Sequence, residues 1–571
     1  MHFSFCPVSH QEVEPQIHSM DDASATVDEH AVDKPAAATA GYTILTGRRL
    51  VVVFTAMLLS QMLTALDQTI LATALPRIAS EFQAFSLQGW IAAAFILAQT
   101  VFVLFFGQLT RIYPAKWILV GSIAIFEIGS LVCGVAQNVN ALIAGRAVSG
   151  AGAAGMYVAI LQVLTQVTRL EDRPRLFGVF GAVFAISSVV GPLIGGAFTD
   201  HVTWRWCFFI NLPLGGVSIT GVTLLLKASP PLGSDPTKRS WADVLKQTRR
   251  MDFIGAILSA GAVTCLILAL QWGGNTKPWD DKAVIITFVF AGVLTAVYVV
   301  WEMRMGERAM IPTAIFRTLA VWAIMLYSLL SRFSMLIFSY YIPIFYQAAR
   351  HRTATESGID LLPLMLSLVF TLIIGGQIVG RTGHLWPFLV GSQVVLAIGS
   401  GLLYTLTPTT SSAKLIGFQI LAGIGIGLGM QNGMMALQAV FVDEPRLIGQ
   451  ATSMGSFVGF LGGTIGLGIA EPVFASELTK KLLAYAPEAP LQVVKESPVA
   501  IYTELEPEMI SGVVRSYSEA LRVVFILGVP VAGISLLATL LIPKTKFQKK
   551  GSPKQDAGGG ASVDKKSLDG E

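Results

Sequence analysis

The chain has 571 residues, of which 53% are hydrophobic and only 13% are charged, and its mean hydropathy is +0.64. A soluble globular protein carries about 25% charged residues, so this composition excludes one and indicates a chain that crosses a membrane many times. The four cysteines and seven histidines show no paired or metal-ligand spacing. We therefore expect no disulfide framework, no metal site and no cofactor.

Both ends of the chain are polar. Residues 1–47 are acidic and contain no apolar segment of the kind found in signal peptides, so we expect a disordered cytoplasmic tail without a cleavable signal. Arg48 and Arg49 precede the first apolar segment, and positive residues in this place favour a cytoplasmic N terminus. Residues 544–571 are basic and polar and predict a second disordered cytoplasmic tail.

Fourteen apolar segments lie between the tails, each long enough to cross a bilayer as a helix. They are 51–74, 88–107, 117–136, 140–165, 176–198, 206–226, 252–270, 283–302, 320–343, 359–379, 388–405, 414–440, 448–473 and 521–542. Lysines and arginines in the predicted inner loops outnumber those in the outer loops by sixteen to seven, which agrees with the positive-inside rule. The pattern predicts a multi-pass protein of the cell membrane with both termini in the cytoplasm, with a vacuolar or vesicle membrane as the alternative.

The chain repeats itself with an offset near 270 residues, because segment 142–156 resembles segment 415–430. The aligned pairs are Arg146 with Gln419, Gly150 with Gly423, and Gly152 with Gly425. Two homologous six-helix halves are typical of a transporter that rocks its halves about a site near the bilayer midplane.

We expect an all-α membrane protein, and a monomer. Its predicted units are a tail at 1–47, a six-helix bundle at 48–226, a cytoplasmic loop at 227–251, two inserted helices at 252–302, a second six-helix bundle at 303–543 with an extracellular loop at 474–520, and a tail at 544–571.

Asp67 and Arg146 are charged residues inside apolar segments. A charge there costs roughly 2.5–3.5 kcal/mol and usually faces a cavity or a partner. At about 1.5 Å per residue, Asp67 lies roughly 13 Å and Arg146 roughly 9 Å from the outer ends of their helices, so the two can pair directly or through water. Pairing changes the proton affinity of a carboxylate, which suits a proton-coupled cycle. The alternative is that Asp67 only pins its helix against its neighbours.

Three further ionisable residues lie in the apolar segments. Glu127 is either a second proton site or a structural group that hydrogen-bonds the end of a neighbouring helix. Arg332 either contacts substrate from a cavity wall or packs between helices, whereas Glu471 precedes Pro472 and is expected at a solvated helix end.

The fifth apolar segment contains the string SVVGPLIGGAFTD at 188–200. Gly191 and Pro192 remove one helical hydrogen bond and bend the helix, and the small residues Gly195 and Gly196 allow the other half to approach closely. We expect a gasket or hinge against the other half that prevents proton leak, with a kinked packing helix as the simpler alternative.

Polar and aromatic residues along the apolar segments are candidates for a pocket that binds an amphipathic ligand. The candidates are Gln162, Arg332, Tyr340, Gln431 and Asn432, and also Trp90, Gln99, Tyr157, Tyr346 and Gln438. Each such residue alone is more often part of helix packing or of the interfacial belt.

Several of these strings resemble the signature motifs of the fourteen-helix drug:proton antiporters of the major facilitator superfamily. They are LDQTILATALP at 66–76, AGRAVSGAGAAG at 144–155, SSVVGPLIGGAFTDHVTWRWCFFINLPLGG at 187–216, and YYIPIFYQ…SGIDLLPL at 340–364. The resemblance covers about residues 45–545 and is similar in kind to fungal pumps for toxins and other secondary metabolites. It implies the two-half fold of that superfamily, proton coupling through Arg146 and export of a small molecule.

The loop between the second and third segments departs from the family pattern G-x-L-x-D-x-x-G-R-K. It reads GQLTRIYPAK at 107–116, where Gly107 and Lys116 remain but Arg111 replaces the acidic residue. The departure removes the acid from the charge relay that the resemblance implies for this loop.

The sequence therefore predicts a proton-coupled efflux antiporter for a small amphipathic compound, whose partners are the substrate, protons and the lipid bilayer. The alternative is a proton-coupled importer on the same fold, for example for an iron chelate, because only the string around Gly191 and its neighbours favours export. An enzyme or a receptor is disfavoured, since no nucleophile–base pair, metal spacing or nucleotide loop is present. No feature suggests nucleic-acid binding.

Overall fold

The computed structural model describes residues 43–82, 88–169, 172–232, 240–274, 277–496, 500–503 and 505–544. The two predicted tails lie outside these residues except at their inner edges. There, the amides of Thr43 and Leu45 donate to the carbonyls of Gln166 and Val167, each at 2.9 Å, so this piece of chain is tied to the end of the fourth helix.

The first half of the molecule consists of six membrane-crossing elements. They are α1 (Gly47–Glu81), α2 (Gln88–Ile112), α3 (Ala115–Gly134), α4 (Val139–Val167), α5 (Arg173–His201), and a sixth element made of α6 (Trp206–Phe209) and α7 (Asn211–Leu225). We call the two ends of the bundle the Gly47 end and the Glu81 end, after the two ends of α1.

Two helices are inserted after the first half. The short amphipathic α8 (Trp241–Arg249) leads into α9 (Phe253–Trp272) and α10 (Lys282–Met305), which pack against each other. Gly306 has a φ of 59°, a conformation that favours glycine, and it turns the chain away from the end of α10. We call residues 306–311, which follow α10, the strap.

The second half begins with a helix of 32 residues, slightly shorter than the 35 residues of α1. Its elements are α11 (Leu319–Arg350), α12 (Ala354–Asp360), α13 (Leu362–Thr382), α14 (Trp386–Tyr404), α15 (Ser412–Val440), α16 (Pro445–Tyr485), α17 (Leu491–Glu496), α18 (Ala500–Thr503), α19 (Pro507–Ile526) and α20 (Gly528–Leu540). Thirteen helices in the described part of the chain have the length and composition of a membrane span. In addition, α5 is 29 residues long and packs between α1 and α13. The predicted all-α membrane fold is confirmed.

The predicted outer loop at 474–520 differs from what is observed. Helix α16 continues to Tyr485 and α19 begins at Pro507. The two extensions pack together, since Lys481 lies 2.8 Å from Glu519 and the rings of Phe474 and Tyr517 are 5.6 Å apart. A polar composition ends an apolar span, but it does not end a helix that still packs against a partner.

Glycines place the same helices in contact in both halves. A Cβ atom at Gly152 would collide with the backbone of Phe126 on α3, and one at Gly425 would collide with the backbone of Leu396 on α14. Small residues therefore let the fourth helix of each half lie directly against its neighbours, as expected for close helix packing in membranes.

The two halves meet along α2 with α16 and along α5 with α13. At the Gly47 end this interface is closed by polar contacts, because Arg173 of the first half donates to Gln438 of the second at 3.1 Å. The strap lies in the same region. Its backbone carbonyls accept hydrogen bonds from Gln108 of α2 at 3.2 Å and from Gln450 of α16 at 3.0 Å.

Candidate functional site

A buried ion pair joins α1 to α4 in the first half. Arg146 Nη1 lies 2.5 Å from Asp67 Oδ2, and the two side chains are 2% and 0% exposed. An ionised carboxylate and a guanidinium in such a place stabilise each other only while both charges are present, because removing one leaves the other unpaired and shielded from water.

Arg146 is held on its other sides as well. Its Nε donates to the carbonyl of Ile91 at 3.2 Å, and its guanidinium carbon lies 4.4 Å from the centre of the Phe95 ring. Both partners belong to α2. Gly150, one turn along α4, leaves no room for a side chain against the backbone of Phe95. The run of small residues on α4 thus brings α2 close enough to cover the arginine.

Asn211, the first residue of α7, completes the surroundings of Asp67. Its Nδ2 donates to Asp67 Oδ1 at 3.3 Å and to Ser130 Oγ of α3 at 3.2 Å. All three side chains are fully buried. Neither Asn211 nor Ser130 was predicted from the sequence. The signal that could have indicated Asn211 is its side-chain amide inside an apolar segment, where an unsatisfied polar group is costly.

Glu127 lies on α3 against α7. A Cβ atom at Gly215 would collide with its carboxylate, and neither carboxylate oxygen has a hydrogen-bond partner among the described residues. The predicted structural role, a hydrogen bond to the end of a neighbouring helix, is therefore not observed. The carboxyl group lies close enough to Asp67 for the two to interact electrostatically.

A cavity of about 120 Å³ lies between the two halves beside the ion pair. Its wall combines amides, aromatic rings and apolar side chains from both halves. The lining residues are Gln61, Thr64, Ala65, Gln68, Gln99, Tyr157, Ile160, Leu161, Phe177, Phe180, Gly181, Phe184, Arg332, Met335, Leu368, Leu372, Met430, Gln431 and Phe460. Asp67 is adjacent on α1 to the lining residue Gln68, and Arg146 lies on α4, which also supplies the lining residue Tyr157.

Two of the five main pocket candidates line this cavity, namely Arg332 and Gln431, and Gln99 and Tyr157 from the further candidates line it as well. Arg332 and Phe460 are neighbours in the cavity wall, and the guanidinium carbon of Arg332 lies 5.3 Å from the centre of the Phe460 ring.

The other three candidates are elsewhere. Tyr340 is 60% exposed on the outside of α11. Gln162 faces Gly449 of α16, and Asn432 donates to the carbonyl of Leu428 on its own helix at 2.6 Å. Adjacent helical residues point about 100° apart, so Gln431 reaches the cavity and Asn432 does not.

The contribution of α1 to the cavity was not predicted from the sequence. Gln61, Thr64, Ala65 and Gln68 all line it. Their spacing of i, i+3, i+4 and i+7 places them on one helix face. A polar stripe at this spacing inside an apolar helix was the signal that could have found them.

Helices α5 and α16 place Gly191 and Glu471 in surroundings that the sequence did not indicate. A Cβ atom at Gly191 would meet Thr69 and Ile70 of α1, in its own half. Thr69 Oγ1 also donates to the carbonyl of Ser187 at 2.8 Å, so this part of α5 is fixed to α1 near Asp67. Glu471 was expected at a helix end, but α16 continues through Pro472 to Tyr485.

Close approach of α5 to the other half occurs nearer the Gly47 end. Cβ atoms at Gly178 and Gly181 would crowd Ile373 and Leu372 of α13. Gly196 was predicted to allow close approach of the other half, but open space surrounds its Cβ position. The carbonyl of Gly195 accepts a hydrogen bond from Thr199 at 2.6 Å. Helix α5 is continuous through Pro192.

The altered loop motif lies where the halves close at the Gly47 end. Gly107 of α2 lies so close to Ser453 of α16 that a Cβ atom would overlap it. Arg111 donates to the carbonyl of Glu307 in the strap at 3.1 Å, and Lys116 donates to the carbonyl of Thr223 at 2.7 Å. The arginine that replaces the family's acid therefore contacts the strap.

Comparisons with known proteins agree with this architecture. The sequence model of the Major Facilitator Superfamily matches residues 57–467. The "MFS-type efflux pump MFS1" of Arthroderma benhamiae is 38% identical over 499 residues, which are 87% of this chain and 91% of that protein. The "MFS-type transporter astH" of Aspergillus oryzae is 36% identical over 495 residues, 86% of each chain. "Efflux pump aunC" of Aspergillus niger is 36% identical over 499 residues, 87% of each chain.

Solved structures share the fold at low sequence identity. A bacterial homologue of the human lysosomal transporter Spinster, in an inward-facing and unoccupied conformation, has a TM-score of 0.55 at 14% identity and covers 88% of this chain and 100% of its own. The human organic anion transporter MFSD10 has a TM-score of 0.54 at 13% identity and covers 87% of this chain and 99% of its own.

The family match spans most of the chain, and the fungal relatives are similar over nearly their whole length. The protein is a multi-pass membrane transporter with a small-molecule substrate. The chain belongs to the Major Facilitator Superfamily.

Proposed function

We propose that this protein is a proton-coupled antiporter that exports a small amphipathic organic compound. The observation that carries the proposal is the buried Asp67–Arg146 pair, which joins two helices that also line the cavity between the halves. The names of the similar fungal proteins, two of which are called efflux pumps, support the direction of transport.

Protonation of Asp67 is the step that drives the cycle. A proton on the carboxyl removes its charge and leaves the buried Arg146 without a counter-ion. Breaking a buried pair from one side costs about 3–5 kcal/mol. A shift of about 5.5 kcal/mol moves an equilibrium between two states from 1:99 to 99:1, so the loss of this one pair supplies most of the energy needed to change the favoured conformation.

The same two helices carry the coupling to substrate. Helix α1 bears Asp67 and the cavity residues Thr64 and Gln68, and α4 bears Arg146 and the cavity residue Tyr157. A change in how α1 packs on α4 therefore changes the cavity wall, and a substrate in the cavity biases the pair in return. Coupling of this kind is reciprocal between the two ligands.

The cavity wall fits an amphipathic substrate. The amides of Gln61, Gln68, Gln99 and Gln431 offer donors and acceptors among the phenylalanines, and Arg332 offers one positive charge. Ligand sites are usually about 300–1,000 Å³, whereas this cavity holds about 120 Å³. We infer that the halves separate to admit substrate and that the present conformation is closed.

Glu127 is the second proton site of the proposal. An ionised carboxylate without a hydrogen-bond donor in this place is costly, and both of its oxygens lack a partner among the described residues. A proton on Glu127 removes that cost. Its carboxyl group lies close enough to Asp67 for the two groups to interact electrostatically.

The Gly47 end is assigned to the cytoplasm of a cell-membrane protein, with both termini on that side and the chain acting as a monomer. The excess of lysine and arginine in the loops of this end supports the orientation. In this orientation the closed interface at the Gly47 end seals the cytoplasmic side. The α5 segment from Gly191 to Gly196, which is fixed to α1 beside Asp67, transmits the change in that helix.

The test uses purified protein in lipid vesicles with an imposed pH gradient and a panel of amphipathic dyes. We expect dye movement opposite to proton flow that is lost in Asp67→Asn and retained in Asp281→Asn, a matched change of a carboxylate that caps α10 at the Glu81 end. Movement in the same direction as the proton would replace antiport with import. Asp67 would have no role in the mechanism if dye movement did not depend on the pH gradient, or if the Asp67→Asn variant transported dye as the native protein does.

A further inference from the structure

The two inserted helices carry two buried acidic residues, Asp252 and Glu302, at the Gly47 end and away from Asp67. Asp252 caps the N terminus of α9. Its Oδ1 accepts hydrogen bonds from the amide of Gly255 at 2.7 Å and from the indole of Trp301 on α10 at 2.8 Å. One oxygen of this carboxyl group is therefore fully engaged in joining α9 to α10.

Glu302 of α10 is engaged in the same way by a different partner. Its Oε2 accepts a hydrogen bond from the amide of Ile311 at 2.9 Å. Ile311 is the last residue of the strap. The glutamate therefore holds the far end of the strap against the helix from which the strap departs.

The remaining oxygens of the two carboxyl groups face the same spot. Asp252 Oδ2 and Glu302 Oε1 both lie over Gly255, where a Cβ atom would sit 2.9 Å from the glutamate oxygen and closer still to the aspartate oxygen. Neither oxygen has a hydrogen-bond partner among the described residues. The residues are only 2% and 6% exposed.

No cation offsets the two acids within the described chain. The titratable groups that face Glu302 are Asp252 and the Tyr298 hydroxyl, which lies close to the Glu302 carboxyl group. The charged residues of the adjoining segments point elsewhere. Arg249, Arg250, Arg304, Glu307 and Arg308 are exposed, and Arg111 donates to the carbonyl of Glu307.

Two ionised carboxylates in contact repel each other, and in such pairs one of them keeps its proton. A single proton between Asp252 Oδ2 and Glu302 Oε1 would turn one oxygen into a donor and the other into its acceptor. Both buried oxygens would then be satisfied, as buried polar atoms normally are.

We propose that Asp252 and Glu302 form a proton-binding site that holds the strap in place across the closed Gly47 end. While the proton is bound, Glu302 stays beside Asp252 and Ile311 stays on Glu302. The strap then presents its carbonyls to Gln108 and Arg111 of the first half and to Gln450 of the second.

Loss of the proton pushes the two carboxylates apart and releases this end of the strap. The contacts that bridge α2 and α16 through the strap weaken, and opening at the Gly47 end becomes easier. This site lies on the inserted helices, so it acts on the closed state without involving the Asp67–Arg146 pair and does not depend on the proposed transport cycle.

The test is hydrogen exchange of the strap, followed by mass spectrometry on the full chain in lipid nanodiscs at about pH 6 and about pH 8. Rates are divided by the chemical rate at each pH. For one linked proton, the opening equilibrium rises up to tenfold per pH unit. We expect exchange in peptides that cover 306–311 to rise with pH in the native protein.

Two amide variants provide the matched comparison. In Glu302→Gln the new NH₂ group donates to Asp252 Oδ2 while the amide oxygen still accepts from Ile311, and Asp252→Asn supplies the donor from the other side. Each variant should hold the strap at both pH values. Glu307→Gln changes an exposed carboxylate of the strap itself and should follow the native protein.

A native profile that is flat between the two pH values would overturn the proposal, and this measurement needs no variant to fold. So would amide variants whose strap still loosens with pH. If sodium restores protection at the higher pH and potassium does not, a metal cation rather than a proton fills the gap, and the proposal is again wrong.

Discussion

The two halves of this transporter pack alike but differ in chemistry at the same place on their fourth helices. Arg146 of α4 pairs with the carboxylate of Asp67, whereas its counterpart Gln419 of α15 donates to the hydroxyl of Tyr346 at 2.9 Å. Both side chains are buried. The first half therefore joins its helices through charges that a proton can cancel, and the second half joins them through a neutral hydrogen bond.

The difference does not extend to the Glu81 end of the molecule, where both halves carry charged contacts. In the first half Glu81 accepts hydrogen bonds from Trp204 at 2.7 Å and Arg205 at 3.0 Å. In the second half Lys481 donates to Glu519 at 2.8 Å. The comparison teaches that a repeated glycine pattern fixes the packing of both halves, while the fully buried ion pair on the fourth helix belongs to the first half.

The largest effect is expected when Arg146 is replaced by glutamine, the residue at the equivalent position 419 of the second half. Arg146→Gln leaves Asp67 as a buried charge without its partner, so the free energy of unfolding should fall by about 3–5 kcal/mol. Gradient-driven transport should be lost. Thermal unfolding in detergent and the vesicle assay measure the two effects.

The double variant Asp67→Asn with Arg146→Gln separates stability from transport. Removing both charges at once leaves no unpaired ion, so we expect most of the stability to return without transport. If the double variant is as unstable as Arg146→Gln alone, the charge pair is not the cause of the loss.

A bulky residue at the shared glycines should harm both halves equally. Gly152→Leu and Gly425→Leu each place a side chain against the backbone of the neighbouring helix, and overpacking typically costs about 1–3 kcal/mol. Fluorescence-detected size-exclusion chromatography after heating would compare the two. A strong effect in only one half would mean that the packing is less symmetrical than the glycine contacts indicate.

A smaller effect is expected from Gln419→Leu. Tyr346 loses its hydrogen-bond donor in a buried place, which should cost about 1 kcal/mol of stability. Proton coupling should be unchanged because no charge is altered. A loss of coupling comparable to that of Arg146→Gln would show that the neutral half also takes part in the proton response.

The smallest effect concerns Glu81, which lies beyond the apolar span of α1 that ends at Leu71. Partial burial alone would raise the pKa of Glu81, but hydrogen bonds from Trp204 and Arg205 outweigh it and lower that pKa. The stabilising contribution is therefore present above the unfolded pKa of about 4.3 and is lost as the pH falls through the lower folded value.

At neutral pH, Glu81→Gln should lower the free energy of unfolding by about 0.2–1 kcal/mol, since the side chain is partly exposed. The difference from the native protein should shrink as the pH falls below about 4. Thermal unfolding from neutral to acidic pH measures it. A difference that grows in acid would mean that Glu81 is destabilised rather than stabilised by its surroundings.

Much of the fold follows from local features of the sequence. Apolar length identified the membrane helices, and the small residues around Gly150 and Gly423 identified the closely packed fourth helix of each half. The depths of Asp67 and Arg146 could be estimated from helix rise alone, because both lie well inside their segments. These features depend on one helix at a time.

Features that depend on the rotation of a helix or on its end were less accessible. Asn432 and Gln431 are adjacent, and sequence spacing could not tell which of them faces the cavity. Asp252 and Glu302 lie at the ends of apolar segments, where an acid is ordinarily solvated, so nothing marked them as buried. Only the packing of α9, α10 and the strap brings them together.

The ion pair also imposes an order on how the protein is made. Asp67 and Arg146 are 79 residues apart, and at about 5–20 residues per second their synthesis is separated by roughly 4–16 s. During that interval α1 resides at the translocon with an acid whose membrane insertion costs about 2.5–3.5 kcal/mol. Stable residence of α1 in the bilayer thus waits for α4, whereas α15 of the second half, which is joined to α11 by a neutral hydrogen bond, can enter the lipid without such a delay.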